Sequence, residues 1–66
     1  MKIVLNGHPH EVPEGTTVAA LVAGLARTPR GVAVALNEEV VPRSTWSETS
    51  LCAGDRVEVL GAAQGG

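Results

Sequence analysis

The chain has 66 residues, of which 44% are hydrophobic but only Trp46 is aromatic, and its formal net charge is −2. A chain this short forms one domain with a thin core, because it buries only about 60% of its unfolded surface. The net negative charge and the lack of a Lys/Arg cluster argue against nucleic acid as a partner. No run of apolar residues approaches the ~20 that a membrane-spanning helix needs. With one cysteine, no internal disulfide and no N-terminal signal pattern, we expect a cytoplasmic protein.

The first twelve residues have the sequence pattern of a β-hairpin. Met1 to Leu5 alternates as a strand does, and Asn6-Gly7 is a strong signal for a two-residue type I′ turn. A second strand is expected over His8 to Val12, at a sheet edge or starting after Pro9, because proline lacks an N–H donor.

A short helix is predicted next. Thr17 is a candidate N-cap, and the following apolar residues recur at the spacing of one helix face: Val18, Leu21, Val22 and Leu25. We expect this face to pack on the inner face of the sheet. Pro29 and Gly31 end the helix, and the segment 26–30 is expected to be a loop.

The second half of the chain predicts the rest of a sheet. Val32 to Leu36 is a strand with apolar residues on both faces, so its second face is either covered or used by a partner. An aperiodic segment contains Trp46 and Leu51, which we expect to cover one end of the core. The remaining elements are a polar turn at 37–39, a short strand at 40–42, a second turn at 53–55 and a final strand at 56–60.

This order predicts an α+β fold, a β-grasp or ubiquitin-like roll. A mixed sheet of four to five strands would wrap one helix, with the first and last strands parallel at its centre. We expect residues 1–60 to form this domain and residues 61–66 to form a flexible C-terminal tail.

Catalytic and metal-binding residues are sparse in the domain. His8 and His10 share one face of a strand, but a structural zinc needs four ligands and only Cys52 could add to them, so no metal site is predicted. Cys52 has no basic neighbour in sequence to activate its thiol. Glu38-Glu39 is predicted to be a solvated turn and not an acid/base pair. With these candidates set aside, the body of the chain is interpreted as a scaffold.

The C-terminal residues Gly65-Gly66 are the chemically suggestive feature. The six-residue tail carries no charged or bulky side chain, and diglycine can enter a channel too narrow for other residues. Its bare carboxylate is ionised at neutral pH and can attack the α-phosphate of ATP in a partner's active site. Taken alone, a terminal Gly-Gly is more often an ordinary frayed chain end than a reactive one. Residues elsewhere in the chain must therefore show whether this diglycine is functional.

The chain resembles the ThiS family, the sulfur carriers of thiamine biosynthesis, over its full length. The Asn-Glu-Glu-Val-Val-Pro-Arg stretch followed by Trp46 narrows the resemblance from ubiquitin-like carriers in general to this branch. The segments that carry the resemblance are Asn6-Gly7, Gly15 to Val18, Val34 to Ser44, Gly54 to Val59 and Gly65-Gly66.

The resemblance implies that the protein is a cosubstrate and not an enzyme. A ubiquitin-activating-type adenylyltransferase (ThiF-like) would use Mg-ATP to convert the Gly66 carboxylate to a glycyl-adenylate. Sulfur from a cysteine desulfurase would replace the AMP and leave 1-thioglycine, a thiocarboxylate, at Gly66. A thiazole synthase (ThiG-like) would accept the sulfur. No cofactor would be bound permanently, and the free carrier is expected to be a monomer.

Two further groups of residues follow from this interpretation. Gly65 and Gln64 would give the end of the chain access to a partner's buried site. The outer face of the sheet would dock on the partner through Val4, Ala33, Ala35 and Leu60. The tail departs from the family at Gly61-Ala62-Ala63, where a bulkier apolar residue is common, and this weakens the expected grip on the partner.

Other functions remain open on the sequence alone. Sibling carriers, such as the small subunit of molybdopterin synthase or carriers for cysteine or tRNA thiolation, share the fold and the tail. A β-grasp protein-interaction or RNA-binding module with an incidental diglycine is a second alternative, although the shortage of basic residues disfavours RNA. The sequence does not assign roles to Cys52, His8 and His10.

Overall fold

One mixed sheet packed on a single α-helix makes up the fold in the computed structural model, which describes residues 1–25 and 30–61. The strand order is β2-β1-β5-β3-β4, with β1 and β5 parallel at the centre and the other pairs antiparallel. This confirms the predicted β-grasp architecture. In chain order the elements are β1 (Lys2–Leu5), β2 (His8–Glu11), α1 (Val18–Leu25), β3 (Val32–Leu36), β4 (Glu39–Val40), a 3₁₀-helix (Arg43–Glu48) and β5 (Arg56–Gly61).

Two tight turns close the two hairpins of the sheet. Asn6 and Gly7 have φ angles of 50° and 84°, so both central residues have the positive φ that the predicted type I′ turn requires. Asn37 and Glu38, between β3 and β4, also have positive φ, at 51° and 74°. Pro9 lies within β2, and the sheet accommodates it because β2 is an edge strand.

Helix α1 begins at the predicted cap. The Thr17 Oγ1 accepts a hydrogen bond of 3.1 Å from the N–H of Ala20, and the Thr17 carbonyl accepts one of 3.0 Å from Leu21. The prediction that Leu25 packs on the sheet is wrong, because its side chain is 44% exposed. Leu25 is the last residue of a helix only eight residues long, and the core does not cover it there. The predicted helix end falls on segment 26–29, outside the described residues.

The core lies between α1 and the inner face of the sheet and is closed by the 3₁₀-helix. Trp46 and Leu51 are buried, as expected, and the indole N–H of Trp46 donates a 2.9 Å hydrogen bond to the Val41 carbonyl. Because this satisfies the polar edge of the ring, the indole can be buried without cost from an unpaired donor. The buried apolar residues are Ile3, Leu5, Val12, Val18, Leu21, Val22, Val34, Trp46, Leu51 and Val57.

Four strands differ from the prediction at their ends. Strands β1 and β2 each lack one predicted terminal residue, Met1 and Val12, although the Val12 N–H still donates a 2.9 Å hydrogen bond to the Met1 carbonyl. The strand predicted at 40–42 is observed at Glu39–Val40, because the two-residue turn places Glu39 opposite Leu36. Beyond Val40, the Val41 N–H still donates a 2.9 Å hydrogen bond to the Val34 carbonyl. Strand β5 continues one residue beyond the predicted Leu60, since Gly61 pairs with Val32.

Candidate functional site

The candidate reactive residues Gly66, Gly65 and Gln64 lie outside the described residues. The structure does describe the strand that leads to them. Strand β5 lies between β1 and β3, so it is the central strand of the sheet. Strand β3 pairs with β5 up to Gly61, whereas β1 pairs with it only up to Val57, so backbone pairing holds the last part of β5 from one side.

Two turn asparagines bind the backbone of β5. The Oδ1 of Asn6 accepts a 2.8 Å hydrogen bond from the Val59 N–H, and its Nδ2 donates one of 3.3 Å to the Val59 carbonyl. At the other end of the strand, the Oδ1 of Asn37 accepts a 2.9 Å bond from the Arg56 N–H, and its Nδ2 donates to Asp55 at 3.1 Å. Sequence reasoning found only the turn-forming role of Asn6, because these bonds join residues far apart in the chain.

An apolar patch covers one part of the outer face of the sheet. Ala33 lies opposite Leu60, and Ala35 lies between Glu58 of β5 and Val40 of β4. Leu60 is 70% exposed and Val40 is 78% exposed, so the patch is open to solvent. Directly opposed residues of neighbouring strands point to the same face. We call Ala33, Ala35, Val40 and Leu60 the outer-face patch.

The fourth residue predicted for docking, Val4, lies apart from this patch. It is half-buried and pairs with Arg56, four residues before Leu60 on β5, which is roughly 13 Å along a strand. Val40 was not predicted to belong to the docking surface. The available sequence signal was that Val40 and the half-buried Val41 alternate along a strand, so their side chains lie on opposite faces of the sheet. The pairing of Val40 with Ala35, however, depends on the register of β4.

Charged residues border the outer-face patch. A shallow pocket of about 130 Å³ is lined by Ala35, Glu38, Arg56 and Glu58. Arg56 and Glu38 form an ion pair at 3.4 Å, but both side chains are mostly exposed, so the pair contributes little to stability. The pocket is smaller than the ~300 Å³ at which small-molecule sites typically begin.

The other chemically active side chains do not converge. His8 is exposed and His10 half-buried on edge strand β2, and Cys52 is an exposed free thiol. Within residues 1–25 and 30–61, no three His, Cys, Asp or Glu side chains are placed to share a metal ion. No helix in the described part of the chain has the length and hydrophobicity to cross a membrane.

Comparison with known proteins identifies the family. The sequence matches the profile of the ThiS family over residues 3–66, which is nearly the whole chain and includes the terminal diglycine. The chain belongs to the ThiS family. Membership confirms the resemblance carried by the sequence motifs.

Solved ThiS structures have the same fold. A crystal structure of the thiamine biosynthesis protein ThiS from Geobacter metallireducens matches with a TM-score of 0.84 and 35% identity, covering all of both chains. A solution structure of a thiamine biosynthesis protein from the same organism matches with a TM-score of 0.82 and 35% identity, covering all of this chain and 88% of the other.

Curated ThiS relatives occur as a short chain and as part of a longer one. The Escherichia coli sulfur carrier protein ThiS is 30% identical over 66 residues, covering all of both proteins. Proteins named thiazole synthase from Magnetococcus marinus and Paramagnetospirillum magneticum are 44% and 36% identical over the whole of this chain. The chain spans about one fifth of the length of these two proteins, 20% in each case.

Proposed function

We propose that this protein is a sulfur carrier of thiamine biosynthesis that delivers sulfur as a thiocarboxylate at Gly66. The observation that supports this most directly is the family match, which extends to the terminal diglycine. The full-length similarity to a relative named as a sulfur carrier supports the same role. An exposed free Cys52 is compatible with the reducing cytoplasm, which we propose as its compartment.

The proposed chemistry takes place in partner enzymes. In an adenylyltransferase of the ubiquitin-activating type, the Gly66 carboxylate would attack the α-phosphate of Mg-bound ATP and release pyrophosphate. A sulfur nucleophile, supplied by a cysteine desulfurase, would then attack the acyl carbon. As the C–S bond forms, the bond to AMP breaks. With hydrosulfide as the nucleophile, the thiocarboxylate forms directly. With a desulfurase persulfide an acyl disulfide forms first, and a thiol then cleaves its S–S bond, releasing the thiocarboxylate and becoming oxidised to a disulfide. In both steps the domain would act as a cosubstrate, and the partner enzymes would supply the catalytic groups; the similarity to a relative named as a sulfur carrier supports this role.

We propose a thiazole synthase as the sulfur acceptor. Two relatives of that name contain a segment similar to this entire chain. A carrier segment within the same polypeptide as its acceptor would meet it at a high effective concentration. This covalent association in the relatives supports the thiamine pathway over the sibling thiolation pathways.

The outer-face patch is the proposed docking surface. Leu60 of this patch immediately precedes Gly61, after which five residues remain to the end of the chain. Five fully extended residues span at most about 16–18 Å. A partner that covers the patch must therefore place its reactive centre within roughly that distance of the end of β5.

Intact-protein mass spectrometry tests the carrier role. The full chain and a variant lacking Gly66 would each be incubated with the adenylyltransferase, Mg-ATP and sulfide, with ATP omitted as a control. We expect a mass gain equal to one sulfur replacing one oxygen, in the full chain only and only with ATP. No gain, with an enzyme that thiocarboxylates its own carrier, would refute the proposal. A gained sulfur that thiazole synthase does not consume would refute the acceptor assignment alone.

A further inference from the structure

The end of β1 leaves β5 without a complete backbone partner. In a regular parallel ladder, every second residue of one strand both donates to and accepts from its neighbour. Val4 donates to the Asp55 carbonyl at 2.9 Å, and Asn6 donates to the Val57 carbonyl at 2.9 Å. The next two bonds of the ladder belong to the N–H and the carbonyl of Val59, but the chain turns away at Asn6.

The side-chain amide of Asn6 takes the place of the missing peptide group. A carboxamide carries the same acceptor and donor as a peptide unit. Its Oδ1 receives the Val59 N–H at 2.8 Å and its Nδ2 reaches the Val59 carbonyl at 3.3 Å. The positive φ of Asn6, 50°, belongs to the turn that brings the side chain to this position.

Asn6 holds the side of β5 that β1 no longer covers. On the opposite side, β3 pairs with β5 continuously from Val57 to Gly61. On the β1 side, the described backbone pairing ends at Leu5 opposite Val57, and the Asn6 amide supplies the contact beyond it. The direction of β5 where the chain leaves for the tail therefore depends on β3 together with one side chain.

We propose that Asn6 is a positioning residue that fixes the end of β5 and so directs Gly66 into the partner's active site. This inference rests on the proposed function, because the tail must enter a partner for its direction to matter. Loss of the Asn6 amide should leave the fold in place but lower the fraction of bound carriers whose carboxylate is aligned for reaction.

Matched glycine variants separate positioning from general stability. Asn6→Gly and Asn37→Gly each remove an amide that binds β5, one at Val59 and one at Arg56. Both residues have positive φ, which glycine adopts without strain, so both turns are preserved. We expect the two variants to be folded by circular dichroism, with similarly lowered unfolding temperatures.

The first readout is amide hydrogen exchange in the full chain. Both variants lose similar global stability, but only Asn6→Gly loses the acceptor of the Val59 N–H. We therefore expect the Val59 amide to exchange about tenfold faster in Asn6→Gly than in Asn37→Gly, a difference within the range of one ordinary hydrogen bond. An unchanged rate at Val59 in Asn6→Gly would overturn the inference.

The second readout is single-turnover adenylation with the adenylyltransferase in saturating excess. We expect about threefold to tenfold slower adenylation for Asn6→Gly, with Asn37→Gly within about twofold of wild type. Equal slowing of the two variants, or wild-type rates for Asn6→Gly, would overturn the positioning role. A wild-type chain that is not adenylated would instead refute the proposed function, and the exchange data would still decide whether Asn6 holds Val59.

Discussion

Leu60→Asp is the substitution that most directly tests the proposed docking surface. Leu60 is 70% exposed, so a polar residue at this position should cost the free domain little stability. Complete burial of a leucine side chain is worth about 1.5–3 kcal/mol, so covering the exposed part of Leu60 in a complex is worth about 1–2 kcal/mol. That corresponds to a factor of about 5–30 in affinity, and an aspartate buried without a partner adds a desolvation cost.

The assay is the dependence of pyrophosphate release on carrier concentration, with the adenylyltransferase and Mg-ATP. We expect the KM for Leu60→Asp to rise at least about tenfold with kcat little changed, because Gly66 and its tail are intact. Leu25→Asp is the matched control, since Leu25 is also an exposed leucine but lies on α1, on the other side of the sheet. A KM within twofold of wild type for Leu60→Asp, or an equal rise for Leu25→Asp, would refute docking through the outer-face patch.

Three further predictions concern the scaffold and the free thiol. Trp46→Phe should lower the free energy of unfolding by about 2 kcal/mol in urea denaturation, because the Val41 carbonyl loses its indole donor; an unchanged midpoint would contradict this. Thr17→Ala should cost about 1 kcal/mol in the same assay by removing the N-cap, and Thr17→Ser should recover most of it. Cys52→Ser should leave the rate of Gly66 thiocarboxylation within about twofold of wild type, since the exposed thiol takes no part in the proposed steps; a large loss in the mass-spectrometric assay would assign it a role.

Local sequence determined most of the secondary structure of this protein. The Asn6-Gly7 turn and the Thr17 cap depend on the conformations and hydrogen bonds of residues within four positions of each other. Alternation within β3 likewise separates the buried Val34 from the exposed Ala33. The terminal diglycine could also be recognised from the sequence, because its proposed chemistry depends only on the type of these residues and their position in the chain.

Only the tertiary structure decided which distant residues act together. The register of β5 against its neighbours sets Leu60 opposite Ala33 and leaves Val4 apart from the outer-face patch. The same register places Asn6 next to Val59, which lies 53 residues later in the chain. The exposure of Leu25 depends on how far the core extends along α1, which helical periodicity does not encode. The reason is physical: turns and caps are satisfied by near neighbours, whereas strand register and burial are set by the packing of the whole sheet on the helix.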